Sequence, residues 1–208
     1  MSDVILASAS PRRQEYFRRL GIPFTAIPPA IDETCAPDAE PAAAAEKLAV
    51  RKALKVLEDA PRSPWVCGAD TLAALEGRIF GKPRSREEAR AMLSRLAGKT
   101  HHVYTGLALA GTALGGALDS RVVCSRVSFG PLSPGEIEWY LDTGEWQGAA
   151  GAYRVQGLGG CLVSRLEGSY SAVAGLPVRE LYLMLRKRGY PLFPREPGFT
   201  EGNIHGVS

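Results

Sequence analysis

The sequence predicts an α/β fold in which a mixed central sheet is flanked by helices. Apolar strand-like segments alternate with helical segments along the chain, which favours parallel strands joined by helices. Other strand-like segments are joined by turns that contain glycine, which favours antiparallel hairpins in the same sheet. The 208 residues suit one domain or one bilobed fold, and they can bury a core without disulfides or structural metals.

The individual elements follow from local signals. The predicted strands span residues 4–7, 24–27, 65–67, 72–75, 78–80, 102–110, 118–129 and 161–166. The predicted helices span residues 11–20, 41–59, 85–96, 133–141 and 177–188. Their starts are marked by Ser10 before Pro11, by Pro177 at a first helical position, and by two capping boxes, Ser85 with Glu88 and Ser133 with Glu136.

Helix 41–59 carries its basic residues apart from its apolar ones. Its leucine and valine positions place Lys47, Arg51, Lys52 and Lys55 largely on other faces. At the other end of the chain, residues 191–208 are rich in proline and glycine and have little periodicity. We therefore expect a single bilobed domain over residues 1–190, followed by a loose C-terminal tail.

Composition excludes several classes of protein. The net charge of +3 comes from scattered residues, and 8% aromatics without a basic stripe argue against single-stranded nucleic-acid binding. Four dispersed cysteines and three histidines argue against a structural zinc site. The absence of a leader-like N-terminus or an 18-residue apolar run favours a cytoplasmic protein that binds no membrane.

The first candidate site is the segment from Ser8 to Arg13, where a strand meets a helix N-terminus. Free backbone N–H groups and the helix dipole favour an anion there, and Arg12 and Arg13 add forked donors for phosphate oxygens. The alternative is a solvated first helical turn with two surface arginines. No Walker loop or dinucleotide-binding glycine motif accompanies this segment.

A second group of residues has the chemistry of a metal-dependent hydrolase. Asp70 and Thr71 follow a buried strand, Lys82 lies between Gly81 and Pro83, and an acidic pair ends with Glu33. Carboxylates near a phosphate site can hold Mg²⁺ or Mn²⁺, and one carboxylate can activate water. Each of these residues alone is more often a turn, cap or solvated residue, so only their combination favours a site.

A third candidate is the glycine-rich segment 148–157. Its small residues let the backbone approach a flat ligand, Tyr153 can stack or pack, and the Gln156 amide suits the edge of a base. The alternative is a connection with Tyr153 in the core and Gln156 on the surface. The adjacent histidines, His101 and His102, would point to opposite faces of a strand, which argues against a shared metal.

Taken together, these motifs resemble the Maf nucleotide pyrophosphatases. The similarity covers about residues 4–188 in family order and rests on segments 6–13, 32–33, 52–53, 68–71, 77–83, 88–93, 102–106, 150–157 and 168–177. The resemblance implies two α/β lobes around a substrate cleft, in the Maf/ITPase-like arrangement. It also implies hydrolysis of a nucleoside triphosphate to monophosphate and pyrophosphate with Mg²⁺ or Mn²⁺, as house-cleaning of the nucleotide pool.

The resemblance implies roles for individual residues. Asp70 would be the catalytic proton acceptor, Glu33 and Asp70 would lie near the metal, and Lys82 would join them as a catalytic group. The substrate-binding residues would be Ser8, Arg12, Arg13, Lys52, Thr71 and Gln156. Among these, Arg12, Thr71 and Gln156 would set the choice of base, and the pattern is similar to that of the dTTP/UTP subfamily, which extends to modified pyrimidines. A homodimer would follow family habit.

Two positions depart from the family pattern. Arg154 stands where the family commonly has glycine, so it would either crowd the base loop or reach the phosphates. Tyr16 and Phe17 replace a leucine pair, which we expect to change packing only. An alternative function is a nucleotide-binding regulator of septum formation that acts without turnover. The joint presence of Asp70, Glu33 and Lys82 favours turnover.

Overall fold

The computed structural model describes residues 4–36 and 39–192, and they form an α/β fold. The strands in these residues are β1 (Val4–Ala7), β2 (Phe24–Ala26), β3 (Trp65–Leu75), β4 (Arg78–Phe80), β5 (Thr100–Ala110), β6 (Asp119–Phe129) and β7 (Val163–Glu167). The α-helices are α1 (Pro11–Arg19), α2 (Pro41–Asp59), α3 (Arg86–Leu96), α4 (Pro134–Asp142), α5 (Tyr170–Val173) and α6 (Val178–Lys187). The predicted fold class is confirmed.

All seven strands described belong to one mixed sheet. Its order is β2-β1-β3-β5-β6-β7, and β4 pairs with β3. β1 runs parallel to β2 and β3, and every other pair is antiparallel. The parallel pairs are connected through helices α1 and α2, whereas β3–β4 and β5–β6 are connected without an α-helix, as expected for the two kinds of pairing.

Helices cover both faces of the sheet. Phe17 of α1 and Leu181 of α6 pack with Cys67 on one face, whereas Ala53 of α2 packs with Val66 on the other. Cys67 and Val66 are neighbours in β3, and consecutive strand residues point to opposite faces. A further core lies under α3 and α4. Phe17 is buried in the core on the α1 face, and Tyr16 packs against that core; that the two residues change packing only stays a prediction.

Some predicted boundaries were wrong. β3 is one continuous strand, so Asp70 and Thr71 lie in its middle and not at a strand end. Residues 161–162 belong to a 3₁₀ helix (Leu158–Leu162) that precedes β7, and Pro177 is the N-cap of α6. The four-residue helix α5 was not predicted, because one turn is too short to show helical periodicity.

The helix caps predicted from the sequence are confirmed in part. Ser133 and Glu136 form the complete capping box. Ser85 accepts a hydrogen bond from the Glu88 backbone, but the Glu88 carboxylate binds the Arg84 N–H instead of closing a box. Ser10 is the N-cap of α1 by position, yet its side chain accepts no capping hydrogen bond.

The packed chain continues past the predicted domain end. Tyr190 packs edge-on against Trp65, with ring centroids 5.3 Å apart, and Leu192 packs against the same core. Residues 193–208 of the predicted tail lie outside the described residues, and the single bilobed domain over residues 1–190 stays a prediction. In the part of the chain that the structure describes, no helix has the length and hydropathy needed to cross a membrane.

Helix α2 lies in direct backbone contact with the sheet. A Cβ atom added to Gly68 would lie 2.2 Å from the Ala49 carbonyl oxygen, and one added to Gly106 would lie 2.1 Å from the Ala45 carbonyl oxygen. Both distances are far below van der Waals contact. The glycines of β3 and β5 therefore determine how closely α2 approaches the sheet.

We expect Gly106→Ala to lower the free energy of unfolding by about 3 kcal/mol, because the new methyl group forces α2 off the sheet. Gly130→Ala is the matched control, since its Cβ would meet nothing within 4 Å. Urea unfolding of both variants measures the difference. Equal stabilities for the two variants would contradict this account of the helix–sheet contact.

His101 and His102 point to opposite faces of β5, as predicted, and His101 is a core residue. Its ring packs edge-on against Phe129 and Tyr153, and its Nε2 atom lies 2.9 Å from the Tyr153 hydroxyl. Burial, followed by the nearby charge of His102, lowers the pKa of His101 to about 4. In the folded protein His101 is therefore neutral at pH values where the unfolded chain binds a proton.

Proton uptake by the unfolded chain determines how this lowered pKa changes stability with pH. Between the unfolded pKa near 6.5 and the folded value, only the unfolded state gains the proton, so stability falls as pH falls, by up to about 3 kcal/mol. His101→Gln removes this contribution and flattens the pH dependence of unfolding between pH 6.5 and 4. His102→Gln, on the opposite face of the strand, removes only the smaller of the two causes and should keep most of the pH dependence. A His101→Gln profile parallel to that of the wild type would be inconsistent with a neutral buried histidine.

Candidate active site

A cleft opens where β3 lacks a partner along one edge. β1 pairs with β3 as far as Gly68, and β4 pairs with it only from Ala73 onward. Across residues 69–72, the strands of the described chain pair with β3 through β5 alone. The cleft beside this gap has a volume of about 380 Å³ and is lined by β3, the β1–α1 junction and the 147–156 loop. Asp70 and Thr71 lie within it.

The cleft brings together every site residue that was predicted from the sequence. These are Ser8, Arg12, Arg13, Glu33, Lys52, Asp70, Thr71, Lys82 and Gln156. Asp32 does not line the cleft; it is exposed, and its carboxylate accepts a hydrogen bond from the Thr34 N–H. The chemical roles of the nine residues stay predictions, whereas their convergence is a property of the fold.

Two carboxylates and two lysines form a connected ion-pair cluster. The Lys52 Nζ atom lies 2.5 Å from Asp70 Oδ1 and 2.7 Å from Glu33 Oε1. The Lys82 Nζ atom lies 2.5 Å from Glu33 Oε2. Asp70 and Lys52 are both buried, so burial strengthens their mutual attraction and makes the loss of either partner costly.

The burial of Lys52 corrects a prediction. Helical periodicity placed it away from the apolar side of α2, but it is only 3% exposed. Periodicity separates polar from apolar side chains and does not anticipate a buried carboxylate facing the helix. Because Gly68 lets α2 lie close to β3, Lys52 reaches Asp70 two residues along the strand on the same face.

The cluster keeps Glu33 ionised. Partial burial alone would raise the pKa of this carboxyl, but hydrogen bonds from Lys52 and Lys82, together with their charges, outweigh burial and hold the pKa at about 2. Glu33 thus carries a negative charge at neutral pH. The cleft consequently presents a carboxylate that can bind a cation and two ammonium groups that can bind an anion.

Arg13 ties three parts of the cleft wall together. Its Nε donates to the Gly175 carbonyl at 2.8 Å, and its two terminal nitrogens donate to the hydroxyls of Ser8 and Thr71, each at 3.2 Å. Burial lowers the pKa of this guanidinium, and the charges of Asp70 and Glu33 oppose that shift. Arg13 therefore fixes the positions of Ser8 and Thr71 relative to the β1–α1 junction.

The loop that carries Gln156 is fixed by residues that the sequence analysis missed. The Glu145 carboxylate accepts hydrogen bonds from the backbone N–H groups of Leu158 and Gly159, at 3.1 and 3.3 Å. The Tyr140 hydroxyl accepts a third, from the Arg154 N–H. Glu145 lies in a glycine-rich stretch with no periodicity, so no local signal indicated this role. Gln156 itself is exposed and lines the cleft, whereas Tyr153 is buried at its wall.

The donor set fits a divalent metal that arrives with phosphates. The described residues contain no cluster of three or more histidine, cysteine, aspartate or glutamate side chains that could form an all-protein metal site. Mg²⁺ is usually held by one or two carboxylates together with substrate phosphates and water. Glu33 and Asp70 supply two such carboxylates beside a cleft rich in cationic groups.

Comparisons with known proteins show what this chain is similar to. A family model described as "Maf-like protein" matches residues 3–188. A dTTP/UTP pyrophosphatase of Myxococcus xanthus is 49% identical over 91% of this chain and 94% of its own length. One of Symbiobacterium thermophilum is 43% identical over 93% and 97%. A nucleoside triphosphate pyrophosphatase of Xylella fastidiosa is 46% identical over 86% and 95%.

A solved structure of a dITP/XTP pyrophosphatase from Mycobacterium abscessus is a more distant neighbour. It is 14% identical over 89% of this chain and 97% of that chain, with a TM-score of 0.46, and it has no bearing on the site. The family model covers nearly all of the described residues, and the curated relatives align over almost their full lengths. The chain therefore belongs to the Maf family.

Proposed function

We propose that this protein hydrolyses nucleoside triphosphates, with dTTP and UTP preferred, to the nucleoside monophosphate and pyrophosphate. The observation that carries the proposal is a buried carboxylate, Asp70, held by Lys52 at the wall of a cationic cleft. The names of the curated relatives at 43–49% identity support the same reaction and substrates. They also disfavour a regulator that acts without turnover.

In the proposed reaction, Asp70 accepts a proton from water. The water oxygen forms a bond to the α-phosphorus, the bond from that phosphorus to the α,β-bridging oxygen breaks, and pyrophosphate leaves. Lys52 holds the Asp70 carboxylate in place through Oδ1. Glu33 and Asp70 would hold a Mg²⁺ or Mn²⁺ ion, which would neutralise charge on the phosphates.

The phosphates would bind at the start of α1. The N-terminus of this helix presents backbone N–H groups and the positive end of its dipole to an anion. Lys82 extends from the opposite side of the cleft and is about half exposed, so it can move from Glu33 to a phosphate oxygen. We assign phosphate binding to Ser8, Arg12, Arg13, Lys52 and Lys82.

Choice of base would depend on Gln156, Thr71 and Arg12. Uracil and thymine present an acceptor at O4 and a donor at N3–H, which the two ends of an amide can meet. Cytosine presents the reverse pattern and would leave the amide mismatched unless it rotates. The Glu145 carboxylate binds backbone N–H groups of the loop that carries Gln156. The Gln156 amide would therefore meet the base from a loop that the protein holds in place.

Asp70→Asn keeps the shape of the side chain but removes the proton acceptor. We expect pyrophosphate release from dTTP and UTP to fall by about 10²–10⁴-fold, because general-base catalysis contributes on that scale. The assay compares dTTP, UTP, CTP and GTP with Mg²⁺ or Mn²⁺. Nucleotide binding by the variant, measured by calorimetry, should persist.

Asp32→Asn is the matched control, since Asp32 is exposed and lies outside the cleft lining. It should release pyrophosphate at the wild-type rate. An unchanged rate for Asp70→Asn would exclude Asp70 as the base, and no release by the wild type from any of the four nucleotides would reject the proposed function.

Gln156→Ala tests base recognition separately from chemistry. Loss of the amide hydrogen bonds should reduce the preference for UTP over CTP, measured as the ratio of kcat/KM values, by about tenfold. Gln14→Ala, on α1 and away from the cleft lining, should keep the wild-type ratio. A ratio that is unchanged in Gln156→Ala would remove Gln156 from base selection.

A further inference from the structure

Two arginines that line the cleft, Arg12 and Arg154, have neither an ion pair nor a full set of hydrogen bonds among the described residues. Within residues 4–36 and 39–192, every ion pair of the cleft involves Lys52 or Lys82, and none involves either arginine. Arg12 also makes no side-chain hydrogen bond in that part of the chain. Arg13 also lacks a carboxylate partner, but its Nε and both terminal nitrogens already donate to Gly175, Ser8 and Thr71. The guanidiniums of Arg12 and Arg154, named here the arginine pair, are thus the cleft arginines that have neither an ion pair nor a full set of hydrogen bonds among the described residues.

Contacts with the protein hold Arg154 at the cleft wall. Its backbone N–H donates to the Tyr140 hydroxyl at 3.1 Å, and its Nη2 donates to the Gln147 carbonyl at 2.7 Å. Its Nε atom is buried and has no hydrogen-bond partner among the described residues. The side chain therefore does not extend freely into solvent, and it retains an unused donor.

The backbone at Arg154 accommodates a side chain without strain. Glu76 and Ala152 are the non-glycine residues of the described chain with positive φ, and Arg154 is not among them. The loop conformation at position 154 consequently does not require a glycine. The arginine adds a cation to the cleft and leaves the loop fold intact.

The two guanidiniums of the arginine pair repel each other in the free protein. Burial, and next the charges of Arg154 and Arg13, lower the pKa of Arg12 to about 10. Like charges at a partly buried site raise the energy of the free protein, and an anion between them removes that cost. A neutral pyrimidine base would not neutralise either guanidinium, whereas a phosphate group would.

We propose that Arg154 is a phosphate-binding residue, which together with Arg12 binds the polyphosphate chain of the nucleotide. The inference rests on the proposed function and adds Arg154 to the residues that bind the phosphates. A guanidinium offers a planar fork of donors that matches phosphate oxygens. Only the Nη2 atom of the Arg154 side chain donates to the protein, so its Nη1 atom makes no hydrogen bond within residues 4–36 and 39–192. In this proposal Gln156, two residues along the loop, still forms the hydrogen bonds that select the base.

The test measures binding of inorganic triphosphate by calorimetry in the wild type, Arg154→Gln and Arg154→Gly. We expect both variants to weaken binding by about 10- to 100-fold, the effect of losing one charge-assisted contact. Arg165→Gln is the matched control: it removes the same charge from an exposed side chain paired with Glu167, and it should bind as the wild type does. Arg154→Gly removes the whole side chain and covers the case in which Arg154→Gln folds poorly.

A second readout separates phosphate binding from base recognition. The UTP-to-CTP ratio of kcat/KM should stay within about twofold of the wild-type value in Arg154→Gln, while KM for UTP rises. Triphosphate affinity within twofold of the wild type in both variants would overturn the proposal, as would a changed base ratio with unchanged affinity. Because inorganic triphosphate binding requires no turnover, it decides the role of Arg154 even if the protein releases no pyrophosphate.

Discussion

One edge of β3 pairs first with β1 and farther along with β4, and the cleft exists because β1 and β4 do not meet. β1 ends at Ala7, opposite Gly68, and β4 begins its pairing at Ala73. The intervening residues keep their hydrogen bonds to β5, so the strand stays extended while its other edge is open. Ligands bind α/β sheets where adjacent connections diverge, and here the divergence exposes Asp70 and Thr71. The other groups of the site reach the cleft from elements on both sides of this gap.

Close packing of α2 against the sheet brings a lysine to the carboxylate that lies in that gap. Gly68 and Gly106 admit the helix backbone, and the helix then delivers Lys52 to the buried face of Asp70. Burying either charge alone would be costly, and the close contact between the two groups offsets much of that cost. Glu33 extends the pairing toward solvent.

The sequence allowed the fold class and the membership of the site to be predicted, but not the contacts within the site. Short motifs identified Asp70, Lys82 and Gln156 because their residue types and order are specific in combination. Lys52 was misplaced on its helix and Asp70 on its strand, because both positions are set by a tertiary contact that no periodicity encodes. Glu145 escaped notice altogether, since its partners are backbone N–H groups thirteen and fourteen residues away.

The hydrogen bond from Arg13 to the Gly175 carbonyl bears on how the protein folds during synthesis. It joins positions 162 residues apart, so nearly the whole chain must leave the ribosome before this part of the cleft wall can close. Contacts of such long sequence separation form late, after the entropy of the intervening loop has been lost. A nascent chain can therefore hold β1, α1 and β3 in place and still lack a finished phosphate site. Truncation before residue 175 removes an acceptor from a buried arginine as well as a segment of chain.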